Sequence, residues 1–198
     1  MLRIAIYGSA LGGGAAQIIE ALSSQDKIKP VLILDRDTSA IGKDVFGVPV
    51  VGSTEELKER WMRRQFDEVA IAIGGDLVER KRVYEFIVSL NIPLANVIGK
   101  EVLFGLNTSL GKGNVILNHS YIGNNSSLGN NNYILNQCSV QHDTVIGDHN
   151  YLATNVTIGA KVRIGSQNRL GIKCIVETKA IIEDGHTFKA AEIINHNH

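Results

Sequence analysis

His142 and its neighbour Asp143 are the pair of side chains in this sequence that is best suited to move a proton. Histidine titrates near neutral pH and can therefore act as a general base. A carboxylate beside the imidazole would orient it and stabilise its charged form. Because adjacent residues on a regular strand point to opposite faces, the pairing requires a bend here or a different acid. The alternative is that His142 is an ordinary solvated histidine at a corner of the chain.

A repeat of six residues surrounds this pair and determines where it is placed. Large apolar residues occur at every sixth position from residue 104 to residue 188, without a break in phase. The fifteen positions are Phe104, Leu110, Ile116, Ile122, Leu128, Ile134, Val140, Ile146, Leu152, Ile158, Ile164, Leu170, Val176, Ile182 and Phe188. Glycine follows the apolar residue at eight of these positions, and a small or polar residue usually stands two positions before it.

A period of six fits neither a helix nor a simple strand, and it predicts short strands joined by tight corners. Three such strands close a triangular coil in which equivalent residues stack about 4.8 Å apart. The glycines are expected to supply the backbone angles of the corners. Four asparagines spaced by 18 residues predict an internal ladder of amides: Asn114, Asn132, Asn150 and Asn168. The alternative is that asparagine is merely frequent in this segment.

The first hundred residues alternate strand-like and helix-like segments, which predicts a small parallel sheet covered by helices. Strands are expected at 2–7, 29–34 and 68–73, and helices at 17–22, 55–64 and 77–90.

Glycines and acidic residues follow these predicted strands, where parallel sheets bind ligands. A strand, a glycine-rich turn and a helix bring N–H groups together at a point that suits a phosphate. The acidic Asp35 could accept hydrogen bonds from a ribose or a base. The candidate ligand-binding residues are Gly8, Ser9, Gly12, Gly13, Asp35, Arg36, Gly74 and Gly75. The alternative is that the glycines only allow the helix to pack closely on the sheet.

The composition excludes several classes of function. The 198 residues include 20 basic and 20 acidic residues, so nothing in the charge balance indicates a nucleic acid or an anionic membrane as partner. No apolar run approaches the length of a membrane span, and no signal peptide is expected at the N-terminus. Cys138 and Cys174 stand two turns apart in the predicted coil, too far for a disulfide. Free, inward-facing thiols are typical of a cytoplasmic protein.

The two halves together resemble the bacterial nucleotide-sugar acetyltransferases of the hexapeptide-repeat family. These include the bacillosamine-pathway N-acetyltransferases and the sialic acid O-acetyltransferase group. The motifs that carry the resemblance are Tyr7-Gly8-Ser9, Leu34-Asp35, residues 70–74 with Arg80-Lys81, and residues 140–143 before residues 145–148.

The resemblance implies a fold, a reaction and an assembly. Residues 1–100 would form a Rossmann-like domain that binds a nucleotide-linked sugar, 101–190 a left-handed parallel β-helix, and 191–198 a tail. The reaction would transfer acetyl from acetyl-CoA to an amino group of the sugar, with His142 as general base beside Asp143. The residues expected to contact acetyl-CoA are Tyr151, Ala160, Gly171 and Ile172. The expected assembly is a homotrimer with its sites between subunits.

Three alternatives remain open from the sequence. One is O-acetylation of a sugar hydroxyl, and another is a β-helix protein without catalytic activity. The third is a trimeric, metal-dependent enzyme similar to the β-helical carbonic anhydrases. The histidines available for that site, His119, His142 and His149, are expected on three different faces, so one chain would not gather them on one ion. We therefore predict no metal. The sequence leaves the nucleotide base and the sugar open.

Overall fold

The computed structural model describes residues 1–8, 11–23 and 25–195. The chain forms two compact units, which divide between Val97 and Ile98, whereas the sequence placed the boundary at residue 100. Among the described residues, no helix is long and apolar enough to cross a membrane.

The first unit alternates strands with helices along the chain. Its elements are β1 (Leu2–Tyr7), α1 (Gly14–Ser23), β2 (Ile28–Asp35), a 3-10 helix (Thr38–Ala40), β3 (Asp44–Val45), β4 (Val48–Ser53), a second 3-10 helix (Thr54–Glu56), α2 (Leu57–Met62), β5 (Glu68–Ile71) and α3 (Leu77–Ser89). The strands form one sheet in the order β3-β4-β2-β1-β5. All neighbours in it are parallel except β3 and β4, which form an antiparallel hairpin.

Strand β1 lies where the strand order reverses, with β2 on one side and β5 on the other. Its apolar residues are buried because helices cover the sheet, and Ile4 and Ile6 are fully inaccessible. Asp76 accepts a hydrogen bond from the N–H of Glu79 and so caps helix α3 at its predicted start. In open α/β sheets the reversal of strand order marks the ligand-binding crevice.

The second unit is a triangular coil of two-residue strands, as the six-residue repeat predicted. Its first face consists of β6 (Val97–Ile98), β9 (Val115–Ile116), β12 (Tyr133–Ile134), β15 (Tyr151–Leu152), β18 (Arg169–Leu170) and β21 (Thr187–Phe188). Its second face consists of β7 (Leu103–Phe104), β10 (Tyr121–Ile122), β13 (Ser139–Val140), β16 (Thr157–Ile158), β19 (Ile175–Val176) and β22 (Ile193–Ile194). Its third face consists of β8 (Ser109–Leu110), β11 (Ser127–Leu128), β14 (Val145–Ile146), β17 (Arg163–Ile164) and β20 (Ile181–Ile182).

Successive turns of the coil pair as parallel strands in one register. Tyr121 pairs with Ser139 and Ile122 with Val140, so each residue stands beside the residue 18 positions later. The apolar residue of each repeat points inward, and Ile122, Ile134 and Val140 are fully buried. The apolar part of this interior consists mainly of branched aliphatic chains and small residues, because three short strands leave a narrow axis.

The predicted asparagine ladder is present in the interior. The Oδ1 of Asn132 accepts from the N–H of Asn150 at 2.9 Å, and the Oδ1 of Asn150 accepts from the N–H of Asn168 at 2.8 Å. The Nδ2 of Asn150 donates to the carbonyl of Gly165 at 2.9 Å. The fully buried amides therefore satisfy main-chain groups of the neighbouring turns, which apolar side chains could not do.

The expectation that the repeat glycines supply the corner angles is wrong. None of the eight has a positive φ; that conformation occurs two residues later, for example at Asn125 (φ 55°) and Asn131 (φ 56°). The glycines are required by the close approach of the next turn, since a Cβ on Gly123 would lie 2.7 Å from the N of His142. Asparagine and aspartate tolerate the left-handed conformation better than most residues, which explains their frequency at the corners.

The coil also extends further than expected. Strand β22 (Ile193–Ile194) pairs with β19, and Ile194 is buried, although the sequence assigned a tail from residue 191. The repeat continues in phase there, because Ile194 follows Phe188 by six residues.

We predict that replacing Asn150 by leucine destabilises the coil by about 2–4 kcal/mol. The change leaves the carbonyl of Gly165 and the N–H of Asn168 buried without their amide partners. Urea denaturation measures the effect as a lower free energy of unfolding. Asn195→Leu, at an exposed position after β22, is the control and should leave stability unchanged within about 0.5 kcal/mol. Equal effects of the two changes would contradict a stabilising role for the ladder.

Candidate active site

His142 and Asp143 form a hydrogen-bonded pair at one edge of the coil. Both lie between β13 of the second face and β14 of the third face, an edge we call the His142 edge. The Nδ1 of His142 is 2.8 Å from the Oδ2 of Asp143, and about half of the imidazole (52%) is exposed. The left-handed conformation of Asp143 provides the required bend, because it turns the carboxylate back towards the preceding side chain. The hydrogen bond from His142 holds the pKa of Asp143 below its usual range.

The carboxylate fixes the tautomer of His142. A carboxylate only accepts, so Nδ1 of His142 carries the proton and Nε2 is left as the basic nitrogen. At His149 the group beside Nδ1 is the amide of Asn131, whose Nδ2 lies 2.8 Å away. His119 shares the arrangement of His142, since its Nδ1 also faces a carboxylate oxygen, on Glu101.

The three histidines considered as metal ligands are separated as the spacing predicted, but they lie at three different edges of the coil and not on its faces. His119 lies between the first and second faces, where its Nδ1 is 2.9 Å from Oε2 of Glu101. His149 lies between the third and first faces, at an edge we call the His149 edge. Within one chain these side chains cannot surround one ion. Among the described residues, no group of three potential ligands is placed to hold a metal.

The edges differ in how their main-chain N–H groups are satisfied. Along the His149 edge, side-chain oxygens accept from the N–H of residues in the preceding turns: Asn130 from Lys112, Asp148 from Asn130, Ser166 from Asp148, and Asp184 from Ser166. Along the His142 edge this pattern stops after Leu106, whose N–H donates to Asn124. Within the described residues, the N–H groups of Asn124, His142 and Ala160 have no protein acceptor. They can therefore donate to a ligand.

The four residues expected to contact acetyl-CoA do not share one edge. Ala160 lies one turn beyond His142 on the same edge. Gly171 and the half-exposed Ile172 lie between the first and second faces, at an edge we call the Ile172 edge. Tyr151 lies on the first face, with its ring stacked on Tyr133 and the guanidinium of Arg169 4.6 Å from its centroid. One chain therefore brings only Ala160 near His142.

Both cysteines are free and buried in the interior of the coil. Burial raises the pKa of the Cys138 thiol to about 12, and burial likewise raises the pKa of Cys174. The thiolate is the nucleophilic form of cysteine, so neither side chain is suited to form a covalent intermediate.

A second candidate site is a cleft of about 310 Å³ at the carboxyl ends of the strands in the first unit. Five of the predicted ligand-binding residues line it: Gly8, Asp35, Arg36, Gly74 and Gly75. Gly12 and Gly13 lie in the exposed loop before α1 and do not line the cleft, and Ser9 lies outside the described residues. The cleft follows β1, β2, β4 and β5, as expected for a ligand site in a parallel sheet.

Sequence reasoning missed four residues of this lining: Tyr7, Thr54, Ile73 and Glu79. Glu79 forms an ion pair with Arg36 at 2.7 Å and a second with Arg82, and hydrogen bonds from Arg82 and Arg36 lower its pKa. Thr54 follows β4, a strand the sequence analysis did not find. A larger concavity of about 530 Å³ lies beside α1 and the exposed Phe46, but it contains none of the predicted site residues.

Arg80 stabilises the backbone at one side of the cleft. Its side chain is fully buried, and Nη1 donates to the carbonyls of Ile71 at 2.8 Å and Ile73 at 2.9 Å. These carbonyls lie at the end of β5, directly before Gly74 and Gly75. The guanidinium therefore fixes the backbone that forms this side of the cleft.

Comparison with known proteins agrees with this geometry. The profile of the bacterial transferase hexapeptide family, with six repeats, matches residues 125–160, which include His142 and Asp143. The second unit is a left-handed hexapeptide β-helix. The fold expected from the resemblance, a Rossmann-like unit followed by this β-helix, is confirmed. No curated protein sequence matches the chain.

Three solved structures match nearly the whole of this chain and not the β-helix alone. The acetyltransferase domain of PglB from Neisseria gonorrhoeae FA1090 is 21% identical, with a TM-score of 0.89 over 100% of this chain and 93% of that chain. PerB from Caulobacter crescentus, in complex with CoA and GDP-perosamine, is 24% identical, with a TM-score of 0.65 over 96% and 90% of the two chains. WeeI from Acinetobacter baumannii AYE is 18% identical, with a TM-score of 0.62 over 97% and 94%. At these identities the likeness establishes the fold.

We predict that Arg80→Lys loosens the cleft. An ammonium group is a point charge on a shorter stem and does not reproduce the two bonds of the guanidinium, so we expect a loss of about 1.5–3 kcal/mol in stability. Hydrogen exchange should show faster opening of the N–H groups of Gly74 and Gly75. Arg82→Lys, on the exposed side of α3, is the matched control and should leave both quantities unchanged. Unchanged exchange in Arg80→Lys would mean that Arg80 does not hold the loop.

Proposed function

We propose that this protein is an acetyl-CoA-dependent acetyltransferase that acetylates the amino group of a nucleotide-linked sugar. The observation that carries the proposal is the pair formed by His142 and Asp143, which leaves a basic Nε2 at an edge of a hexapeptide β-helix. Structures with this fold include a PglB domain in complex with acetyl coenzyme A and PerB in complex with CoA and GDP-perosamine. A third is a GDP-perosamine N-acetyltransferase in which a histidine is replaced by alanine.

In the proposed mechanism His142 is the general base. Its Nε2 takes a proton from the acceptor amine as the nitrogen attacks the thioester carbon, so an N–C bond forms. The C–S bond then breaks, and the departing sulfur of CoA receives the proton from the imidazolium. Asp143 stabilises that imidazolium throughout. The buried state of both thiols favours direct transfer, without an acetyl group attached to the protein.

The N–H groups of the His142 edge that have no protein acceptor could stabilise the negative charge of the transition state. Negative charge develops on the thioester oxygen during attack, and a fixed N–H donor stabilises it. We assign this role to the N–H of Ala160, which lies one turn from His142, about 4.8 Å along the axis. The methyl side chain of Ala160 leaves room for the thioester beside it.

The cleft in the first unit is the proposed site of the nucleotide. Asp35 and Arg36 follow β2, where hydrogen bonds to a ribose or base are made in parallel sheets. Gly74 and Gly75 allow a ligand to approach the main chain closely, and Gly8 adopts the left-handed conformation (φ 81°) at the end of β1. Ser9, Gly12 and Gly13 are proposed as further contacts of this ligand, because they belong to the glycine-rich turn between β1 and α1.

The proposed assembly is a homotrimer in which two chains complete each site. Three of the residues assigned to acetyl-CoA, Tyr151, Gly171 and Ile172, lie away from the His142 edge of their own chain. A neighbour that places its Ile172 edge beside the His142 edge would bring both sets together. The exposed apolar residues Ile172, Ile175 and Ile193 also favour burial against another subunit.

We predict that His142→Ala lowers kcat by about 10²–10⁴-fold, because the attacking amine loses its base. The assay uses acetyl-CoA with uridine, guanosine and cytidine diphosphate-linked amino sugars, and compares each with its hydroxyl analogue. Acetyl-CoA affinity, measured by calorimetry, should stay within a few-fold of the original protein.

His149→Ala is the matched control, since that histidine lies at another edge and has the amide of Asn131 beside its Nδ1. It should keep near-normal activity. Near-normal turnover of His142→Ala would overturn the proposed mechanism, and acetylation of the hydroxyl analogue alone would replace the amine by an alcohol as acceptor.

We predict that two inactive variants restore activity when they are co-expressed. His142→Ala removes the base that one chain supplies to a site, and Ile172→Asp alters the acetyl-CoA contact that the neighbouring chain supplies. In a mixed trimer, some interfaces combine an intact His142 with an intact Ile172. Random assembly gives about a quarter of the sites in this state. Activity at that level, with a trimeric mass by sedimentation, supports shared sites. If the mixture stays inactive while each variant remains oligomeric and folded, the site lies within one chain.

A further inference from the structure

A chain of hydrogen-bonded corner side chains runs along the His142 edge and leads to the carboxylate of Asp143, the partner of His142. Asn107, Asn125 and Asp143 occupy equivalent corners of successive turns, with φ of 59°, 55° and 59°. The Nδ2 of Asn107 donates to the Oδ1 of Asn125 at 3.1 Å. The Nδ2 of Asn125 donates to the Oδ1 of Asp143 at 3.2 Å.

The column has a fixed direction. An amide nitrogen can only donate, so Asn107 and Asn125 both direct N–H groups towards the carboxylate, and the oxygen of Asn125 accepts from Asn107. The bond from Asn125 occupies the Oδ1 of Asp143, while the other oxygen, Oδ2, accepts from Nδ1 of His142. Both carboxylate oxygens are thus engaged, and rotation of the carboxylate would break one of the two bonds.

We infer that Asn125 is a positioning residue for acetyl transfer, acting through Asp143 to hold the imidazole of His142 in its reactive orientation. The inference rests on the proposed function for its catalytic part. The contact between Asn125 and Asp143 can be tested without it.

The exposed position of Asn125 indicates that it orients Asp143 and does not stabilise the fold. The interior asparagines are fully buried and bind main-chain groups, whereas Asn125 is exposed and its side chain binds two other corner side chains. An exposed hydrogen bond of this kind contributes little to folding. Its energetic effect is therefore expected on the orientation and charge of Asp143.

The charges around Asp143 indicate what removal of Asn125 would change. His142 lies on one side of the carboxylate, and Lys161 occupies the corner of the next turn. Hydrogen bonds from His142 and then from Asn125 lower the pKa of Asp143, and the charges of His142 and Lys161 act in the same direction. Without the amide, the pKa of Asp143 should rise while the other contributions remain.

The experiment compares Asn125→Gly with Gln167→Gly. Glycine adopts the left-handed conformation without strain, so neither change should disturb the corner. Gln167 has the same conformation (φ 61°) and an amide side chain, but it lies on the His149 edge. A third variant, Asn125→Asp, places a second carboxylate against Asp143 and should have a larger effect.

Two readouts separate positioning from folding. We expect Asn125→Gly to lower kcat by about three- to thirtyfold with little change in KM for acetyl-CoA, because orientation and not binding is affected. Carbon NMR of the labelled Asp143 carboxyl should show a raised pKa in Asn125→Gly and a further rise in Asn125→Asp. Gln167→Gly should change neither quantity, and all three variants should melt within a few degrees of the original protein.

Each outcome has a defined meaning. Equal effects of Asn125→Gly and Gln167→Gly would overturn the inference, and so would a raised pKa of Asp143 without any loss in kcat. If the original protein transfers no acetyl group, the proposed function fails. Even in an inactive protein, the pKa of Asp143 tests the hydrogen bond from Asn125. An unchanged pKa in Asn125→Gly would show that this bond is absent.

Discussion

The register between successive turns is the constraint on which the β-helix depends. Each residue pairs with the one 18 positions later, so a side chain is surrounded by its equivalents in the turns on either side. In the interior this produces columns of aliphatic residues and the asparagine ladder. At the His142 edge it brings Asn125, Asp143 and Lys161 into one column, although 18 residues separate each from the next. The residues around the proposed base, His142, are therefore distant in sequence but occupy equivalent corners of successive turns.

Much of this arrangement could be predicted because spacing alone determines it. The phase of the apolar residues fixed which side chains face inward, and the asparagines at intervals of 18 had to meet in one column. The separation of His119, His142 and His149 follows from the same arithmetic. In the first unit, β1 and α3 were predicted because their apolar patterns are strong local signals, whereas the cap that Asp76 provides for α3 was not foreseen. The cleft was found through glycines and an acid placed directly after strands.

Other features depend on backbone conformation or on contacts that no local pattern reports. The left-handed position of each repeat holds residues as different as Glu101, Asp143 and Lys161, so composition did not reveal it and the glycines were misinterpreted. Strand β4 was missed because Pro49 and Gly52 interrupt its apolar pattern. Whether an N–H group at the His142 edge has an acceptor depends on the side chain one turn away. The sequence around Ala160 does not indicate that such an acceptor is lacking. The contact of Asn125 with Asp143 required coordinates for the same reason.

The left-handed corners have a consequence for how such a coil can acquire chemistry. A positive φ at every sixth residue disfavours bulky and branched side chains and admits asparagine, aspartate, histidine and glycine most readily. Aspartate and histidine can exchange a proton, and asparagine can orient a proton-transferring group by hydrogen bonding. The geometry that turns the chain from one face to the next thus enriches its edges in the residue types that acid–base catalysis uses. A new active centre on this scaffold would need a change of side chains at existing corners, with no new backbone.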